Sequence, residues 1–189
     1  EELPAARAVM DPFHVVSLAG DKLDECRRRV QRAITGRRGR KGDPLHRARR
    51  TLLTGADLLT DAQAQRLENL FADERNAPVQ ATWGVHQRLI QAYRAQDPGL
   101  GKFLMQRLIS SLRQAVPTGL EEARTLTERS ADILAYFDHP GSSNGPTEAV
   151  NGRLEHLRGI ALGFRNLTHY TIRSLIHAGR LKDHLMATA

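Results

Sequence analysis

The sequence predicts a mainly α-helical protein, on three observations. Apolar residues recur every three or four positions through most of the chain, as amphipathic helices require. A single short run, Ala8 to Met10, has the length and composition of a buried strand. Breaks rich in Gly and Pro, at 36–44 and 139–146, divide the helical stretches. With 189 residues and 40% hydrophobic side chains, the chain can build one compact domain but not two large ones. A charged fraction of 26% and the lack of any low-complexity tract argue against wholesale disorder or a collagen-like fibre.

In chain order, Ala8-Val9-Met10 reads as a strand that ends on a carboxylate, Asp11. Pro12 then opens a helix over about 13–34, whose inward face is Val16, Ala19, Leu23, Cys26, Val30 and Ile34. The glycines at 36, 39 and 42 with Pro44 predict a flexible basic loop, and helical periodicity resumes at Leu45, Ala48, Leu52 and Leu53. Thr60 and Gln63 have the spacing of a capping box for a helix carrying Leu67, Leu70 and Phe71. Further helices fit 79–95, 101–115 and 118–137. After the 139–146 loop, Ser143 or Asn144 can cap a helix that Pro146 pre-sets, and Asn166 can cap the last one.

Cys26 is the sole cysteine, so no intrachain disulfide can form and a reducing compartment is expected. No stretch approaches the ~20 apolar residues of a membrane span, and the acidic start is unlike a signal peptide. These readings predict a cytoplasmic protein without a membrane partner. The first residue is Glu1, and the methionines are Met10, Met105 and Met186; either the chain was processed or an upstream part is missing.

The net charge of +7 is unevenly spread. Residues 27–50 hold eleven Lys and Arg against one acid, Asp43, so this segment carries +10 and the rest of the chain −3. Such a block suits a local polyanion, with nucleic acid the first candidate. Arg37, Arg38, Arg40 and Lys41 sit among glycines, as in a mobile arm that follows a phosphate backbone; a solvated linker has the same composition. The eight histidines form no H-E-x-x-H pattern, which argues against zinc. Trp83 reads as core beside Val79 and Tyr93, although an aromatic in a helical insert could also stack on a displaced base.

Asp11 ends the strand candidate and Glu148 lies in the first turn of a late helix. Carboxylate oxygens brought together by a fold are ligands for Mg²⁺ or Mn²⁺, while an acid at a helix start also serves as a dipole partner. The runs Val9 to Val16 (VMDPFHVV), Ser143 to Arg153 (SNGPTEAVNGR) and Gly163 to Leu167 (GFRNL) resemble the C-terminal part of DDE insertion-sequence transposases of the ISL-three type. The likeness runs over essentially the whole chain.

The resemblance implies the C-terminal part of a ribonuclease H-like catalytic core: one remaining strand plus helices, interrupted by an all-helical insertion. Residues 1–34 would be the core remnant, 35–137 the basic loop and insertion, and 138–189 the helices with the Glu motif. It implies Asp11 and Glu148 as catalytic, metal-binding residues, Mg²⁺ (or Mn²⁺) as cofactor, transposon ends and target DNA as partners, and a possible homo-oligomer of the full-length enzyme. The family's first Asp would lie upstream of this chain, so strand transfer by the chain alone is expected to be negligible. Where many relatives carry Lys or Arg seven positions after the Glu, this sequence has Glu155; Arg153 and Arg158 flank it as candidate phosphate contacts. His14 could orient Asp11 or cap the core edge. Asn144 belongs to the matched motif, and Asn151 could bond Glu148 or its own backbone. The alternative reading is a non-catalytic helical DNA-binding remnant of a transposase, and a third is a relic without function.

Overall fold

The first helix is fixed at both ends by local chemistry. In the computed structural model, α1 runs Pro12–Thr35; Asp11 caps it by accepting the Phe13 amide at 2.8 Å, and Pro12 fills the first turn. At the other end Gly36 takes a left-handed φ of 66° and its amide returns to the Arg32 carbonyl at 2.8 Å. A residue with a Cβ is strained at that φ, so glycine ends the helix. The structure describes residues 8–115, 124–139, 141–142 and 145–178, which fall into two units, Glu1–Ser142 and Ser143–Ala189.

In the first unit α1 is followed by two short helices, α2 (Pro44–Arg47) and α3 (Arg49–Leu53), and then by α4 (Asp61–Phe71). Both bonds of the expected capping box are present at the start of α4: Thr60 Oγ1 accepts the Gln63 amide at 3.4 Å, and Gln63 Oε1 accepts the Thr60 amide at 3.0 Å. Next come α5 (Ala77–Arg94) and α6 (Pro98–Ala115), then α7 (Arg124–Glu128) and α8 (Ser130–Asp138). The helix expected over 118–137 is thus interrupted at Arg129, and its first residues lie outside the described ones.

Two apolar clusters hold this unit, and α1 belongs to both. Val15 and Ala19 pack with Val85, Leu89 and Ala92 of α5, with Met105, Leu108, Ile109 and Leu112 of α6, and with Leu126 and Ile133. Leu23, Cys26 and Val30 pack instead with Leu45, Ala48, Leu52, Leu67, Leu70 and Val79. Early α1 therefore meets late α5 and late α1 meets early α5, which makes them an antiparallel pair. Val15 takes the place expected of Val16, and Cys26 is buried, as its periodic position required. Trp83 packs on the second cluster against Phe71, at 5.4 Å between rings, together with Val79. Tyr93 lies ten residues further on, in the first cluster, stacked on Phe137 at 5.4 Å.

The expected strand does not form. Among the described residues there is no strand; Ala8 to Met10 is irregular, and its one backbone bond runs from the Met10 amide to the Asp132 carbonyl, 3.0 Å away. A strand exists only as one line of a ladder, and a single bond to a helix residue makes none. The mainly α character is as the periodicity required.

Three polar residues of α5 hold what lies beside it. Gln87 accepts the Ala56 amide at 2.7 Å and donates to the Thr54 carbonyl at 3.1 Å, so it pins the turn after α3. Arg94 pairs with Asp57 of the same turn. His86 is 3% exposed, and burial holds its imidazole below the usual value.

The second unit contains α9 (Gly145–Ile160) and α10 (Leu167–Ala178), which pack on each other; Phe164 and Tyr170 meet at 5.2 Å. Asn166 caps α10 as expected, accepting the His169 amide at 3.2 Å.

Two stability measurements check this packing. A Cβ on Gly101 of α6 would stand 2.7 Å from the Ala92 carbonyl oxygen and 2.7 Å from Phe137, so Gly101→Ala should cost about 1–3 kcal/mol in urea unfolding despite alanine's better helix propensity. Gly84→Ala on α5, whose nearest neighbour is the Arg88 tip at 4.0 Å, should instead gain about 0.5–1 kcal/mol. Because the unfolded chain protonates His86 near pH 6.5 and the folded one resists, stability should be flat above that pH and fall as pH drops below it. His86→Gln should flatten this acid limb in denaturation curves recorded across pH.

Candidate DNA-processing site

Asp11 sits where three parts of the first unit meet. Its Oδ1 is engaged as the α1 cap, and His14, one turn on, brings Nδ1 to 3.9 Å from the same oxygen. The Met10 bond to Asp132 ties the residue before it to α8. Tyr93 of α5 is close enough to sense the charge: its phenol is pushed well above the usual range by burial first, then by Tyr136 and by the Asp11 carboxylate. The hydroxyl of Tyr93 is buried with no hydrogen-bond partner among the described residues. This neighbour of Asp11 lies 82 positions along the chain, and no short-range spacing marks it. A groove of about 650 Å³ beside the first turn of α1 has Phe13, Val16, Leu58 and Ile90 in its wall, so it is mainly apolar and unsuited to an ion.

Glu148 lies in the first turn of α9 and is exposed. Asn151 follows on the same helical face and is exposed as well. Arg153 points to another side, five residues on, and Arg158 donates to Glu155 at 2.9 Å. Glu155, the acid at the position where many relatives carry a cation, thus has a partner in its own helix. Asn144 and Ser143 lie outside the described residues.

The carboxylates of Asp11 and Glu148 are hard oxygen donors of the type that Mg²⁺ and Mn²⁺ take. Among the described residues no group of three or more His, Cys, Asp or Glu is placed to hold a metal ion. The donor type fits such an ion.

The loop between α1 and α2 is folded rather than open. Asp43 accepts Arg37 through both oxygens, at 2.9 and 3.0 Å, and also accepts the Arg40 amide at 2.7 Å. Arg37 and the Arg40 amide hold its carboxyl below the usual range. Arg37 is therefore engaged within the chain, while Arg38, Arg40 and Lys41 remain exposed. The sequence reading counted Asp43 only as the lone acid of the block. The signal for its organising role was its place directly before Pro44, where an Asp starts a helix and folds the chain ahead of it.

Among the described residues, no helix is long and apolar enough to cross a membrane. Compared with known proteins, the chain is 29% identical to the transposase for insertion sequence element IS1557 of Mycobacterium tuberculosis, in both strain CDC 1551 / Oshkosh and strain ATCC 25618 / H37Rv. The alignment covers 88% of this chain and 41% of each relative, so the chain spans less than half the length of the curated relatives it matches. No solved structure matches it significantly. Residues 1–174 match the DDE transposase family of the ISL3 type, described as transposase, and this chain belongs to that family.

Proposed function

We propose that this chain serves DNA transposition, supplying Asp11 and Glu148 to a metal-dependent phosphodiester hydrolysis and strand-transfer site at insertion-sequence ends, and its basic segment to the DNA. The observation that carries this reading is the family match over 1–174, which includes both acidic motifs in their order. In this reading residues 8–11 belong to a ribonuclease H-like core. The α1 cap engages Asp11 Oδ1, and His14 Nδ1 lies 3.9 Å from the same oxygen. Asn151 stands ready on the Glu148 face to orient that carboxylate. A divalent ion held by these residues and a third carboxylate, the family's first Asp, would supply charge stabilisation at the phosphoryl oxygens. A non-catalytic DNA-binding role is the reading that remains if the two acids do not meet.

Iron-directed cleavage tests the convergence. Fe²⁺ substituted for Mg²⁺, with ascorbate and peroxide, should cut the 189-residue backbone both near position 11 and near position 148. Excess Mg²⁺ should suppress both cuts, and Asp11→Asn or Glu148→Gln should each abolish both. Cutting at one position only, or cutting indifferent to both substitutions, refutes a shared ion. The chain on its own should leave a labelled duplex uncut in Mg²⁺ or Mn²⁺; efficient cleavage by it would show that no third carboxylate is needed.

A further inference from the structure

Beyond the carboxylates, the late half of α1 forms one wall of a basic cavity of about 490 Å³. Asp24, Arg27, Arg28, Gln31 and Arg32 recur at helical spacing and face it together. Arg38 and Gly39 of the loop, with His46 and Arg49 beyond it, close the other side. Five guanidinium groups thus meet one carboxylate.

That carboxylate is already committed. Asp24 accepts Arg27 at 2.7 Å on one oxygen and Arg28 at 3.0 Å on the other, and Arg49 reaches only 4.0 Å. Arg32 and Arg38 have no carboxylate partner among the described residues, although they border the same space. Gln31 is 3% exposed, and its Oε1 has no hydrogen-bond partner among the described residues, while Nε2 reaches Thr35 at a long 3.4 Å. The two amide orientations differ only in which atom is orphaned, and turning the amide sends an N–H to the orphaned position, where an anionic oxygen can accept it.

The loop is fitted to this wall. A Cβ at Gly39 would stand 3.3 Å from both Gln31 Cγ and His46 Cβ, so only a glycine lets the loop lie this close without displacing either. The Asp43 clamp on Arg37 and on the Arg40 amide fixes the turn that carries Arg38, which lines the cavity while staying exposed. Guanidinium forks bind phosphate oxygens in pairs, and the unbalanced charge here is of the sign and number that a phosphodiester relieves.

We propose that this cavity is a phosphate seat that grips one backbone phosphate of DNA, held by Arg32, Arg38 and Arg49 and by the Gln31 amide, with Asp24 fixing Arg27 and Arg28 behind them. The proposal rests on the reading that DNA is the partner. It differs from a mobile arm in requiring shape as well as charge.

Binding of a short fluorescent duplex to the whole chain, measured by anisotropy across a salt series, tests it. The Arg32→Gln/Arg38→Gln pair should weaken binding about tenfold and lower the salt slope by about one, the loss of one neutralised phosphate. The pair Arg66→Gln/Arg107→Gln, which removes the same charge elsewhere, should change affinity less than twofold. Gly39→Leu keeps every charge but fills the gap between Gln31 and His46, and should weaken binding several-fold; melting curves confirm that each variant folds. Equal losses from both arginine pairs, or a Gly39→Leu chain that binds as tightly as the parent, overturn the seat and leave the DNA reading standing. Inorganic phosphate distinguishes the sources: if calorimetry shows the cavity pair losing phosphate binding while duplex affinity is unchanged, the ligand is the free ion and the proposal falls. A chain that binds no duplex at all removes the DNA reading itself.

Discussion

The antiparallel contact between α1 and α5 is the constraint on which the first unit depends. One helix of 24 residues cannot bury its apolar stripe against a single small cluster, and here the stripe is shared between two. Val15 and Ala19 anchor one end, while Leu23, Cys26 and Val30 anchor the other. Full burial of side chains this size contributes about 1.5–3 kcal/mol each, so neither cluster alone accounts for the helix being held along its length. α5 mirrors the arrangement, with Val79 in one cluster and Val85, Leu89 and Ala92 in the other.

A rigid rod between the two clusters sets a distance between chemistries. Asp11 caps the start of α1 and the basic cavity lies along its second half, so roughly 16–21 residues of helix, about 24–32 Å, separate the carboxylate from the arginines of α1. The pairing with α5 keeps that spacing fixed. The polar residues of α5 serve the same rod from its other side: Gln87 and Arg94 tie down the turn after α3, and Tyr93 forms part of the surroundings of Asp11.

The +10 segment is better described by its two acids than by its cations. Asp43 lies within the segment and folds the loop by taking Arg37 and the Arg40 amide; Asp24 lies just before it and takes Arg27 and Arg28. Arg27 is buried, while Asp24, Asp43 and Arg37 are partly exposed. The effect of these pairs is geometric: they sort the arginines into those that organise the protein and those, Arg32 and Arg38, that have no carboxylate partner among the described residues. Composition alone treats all eleven cations alike.

Much of the local structure was written in short-range chemistry. Pro12 after Asp11, the Thr60 and Gln63 box, Asn166 before α10 and the left-handed Gly36 all act within four residues, and each was legible from spacing. The family was legible too, because its motifs are short runs around Asp11 and Glu148. The strand at Ala8 to Met10 misled, since apolar composition supplies a strand's side chains but not the neighbour its backbone must bond. Tyr93 near Asp11, Gly101 under the Ala92 carbonyl and Gly39 laid against Gln31 had no signal at all in local spacing. The sequence by itself thus determined the helices, their caps and the family; the tertiary structure decided which charges are paired, which glycines are irreplaceable and what surrounds Asp11. The physical reason is that capping and periodicity act within one turn, whereas each of those contacts joins side chains from different elements that only packing brings together.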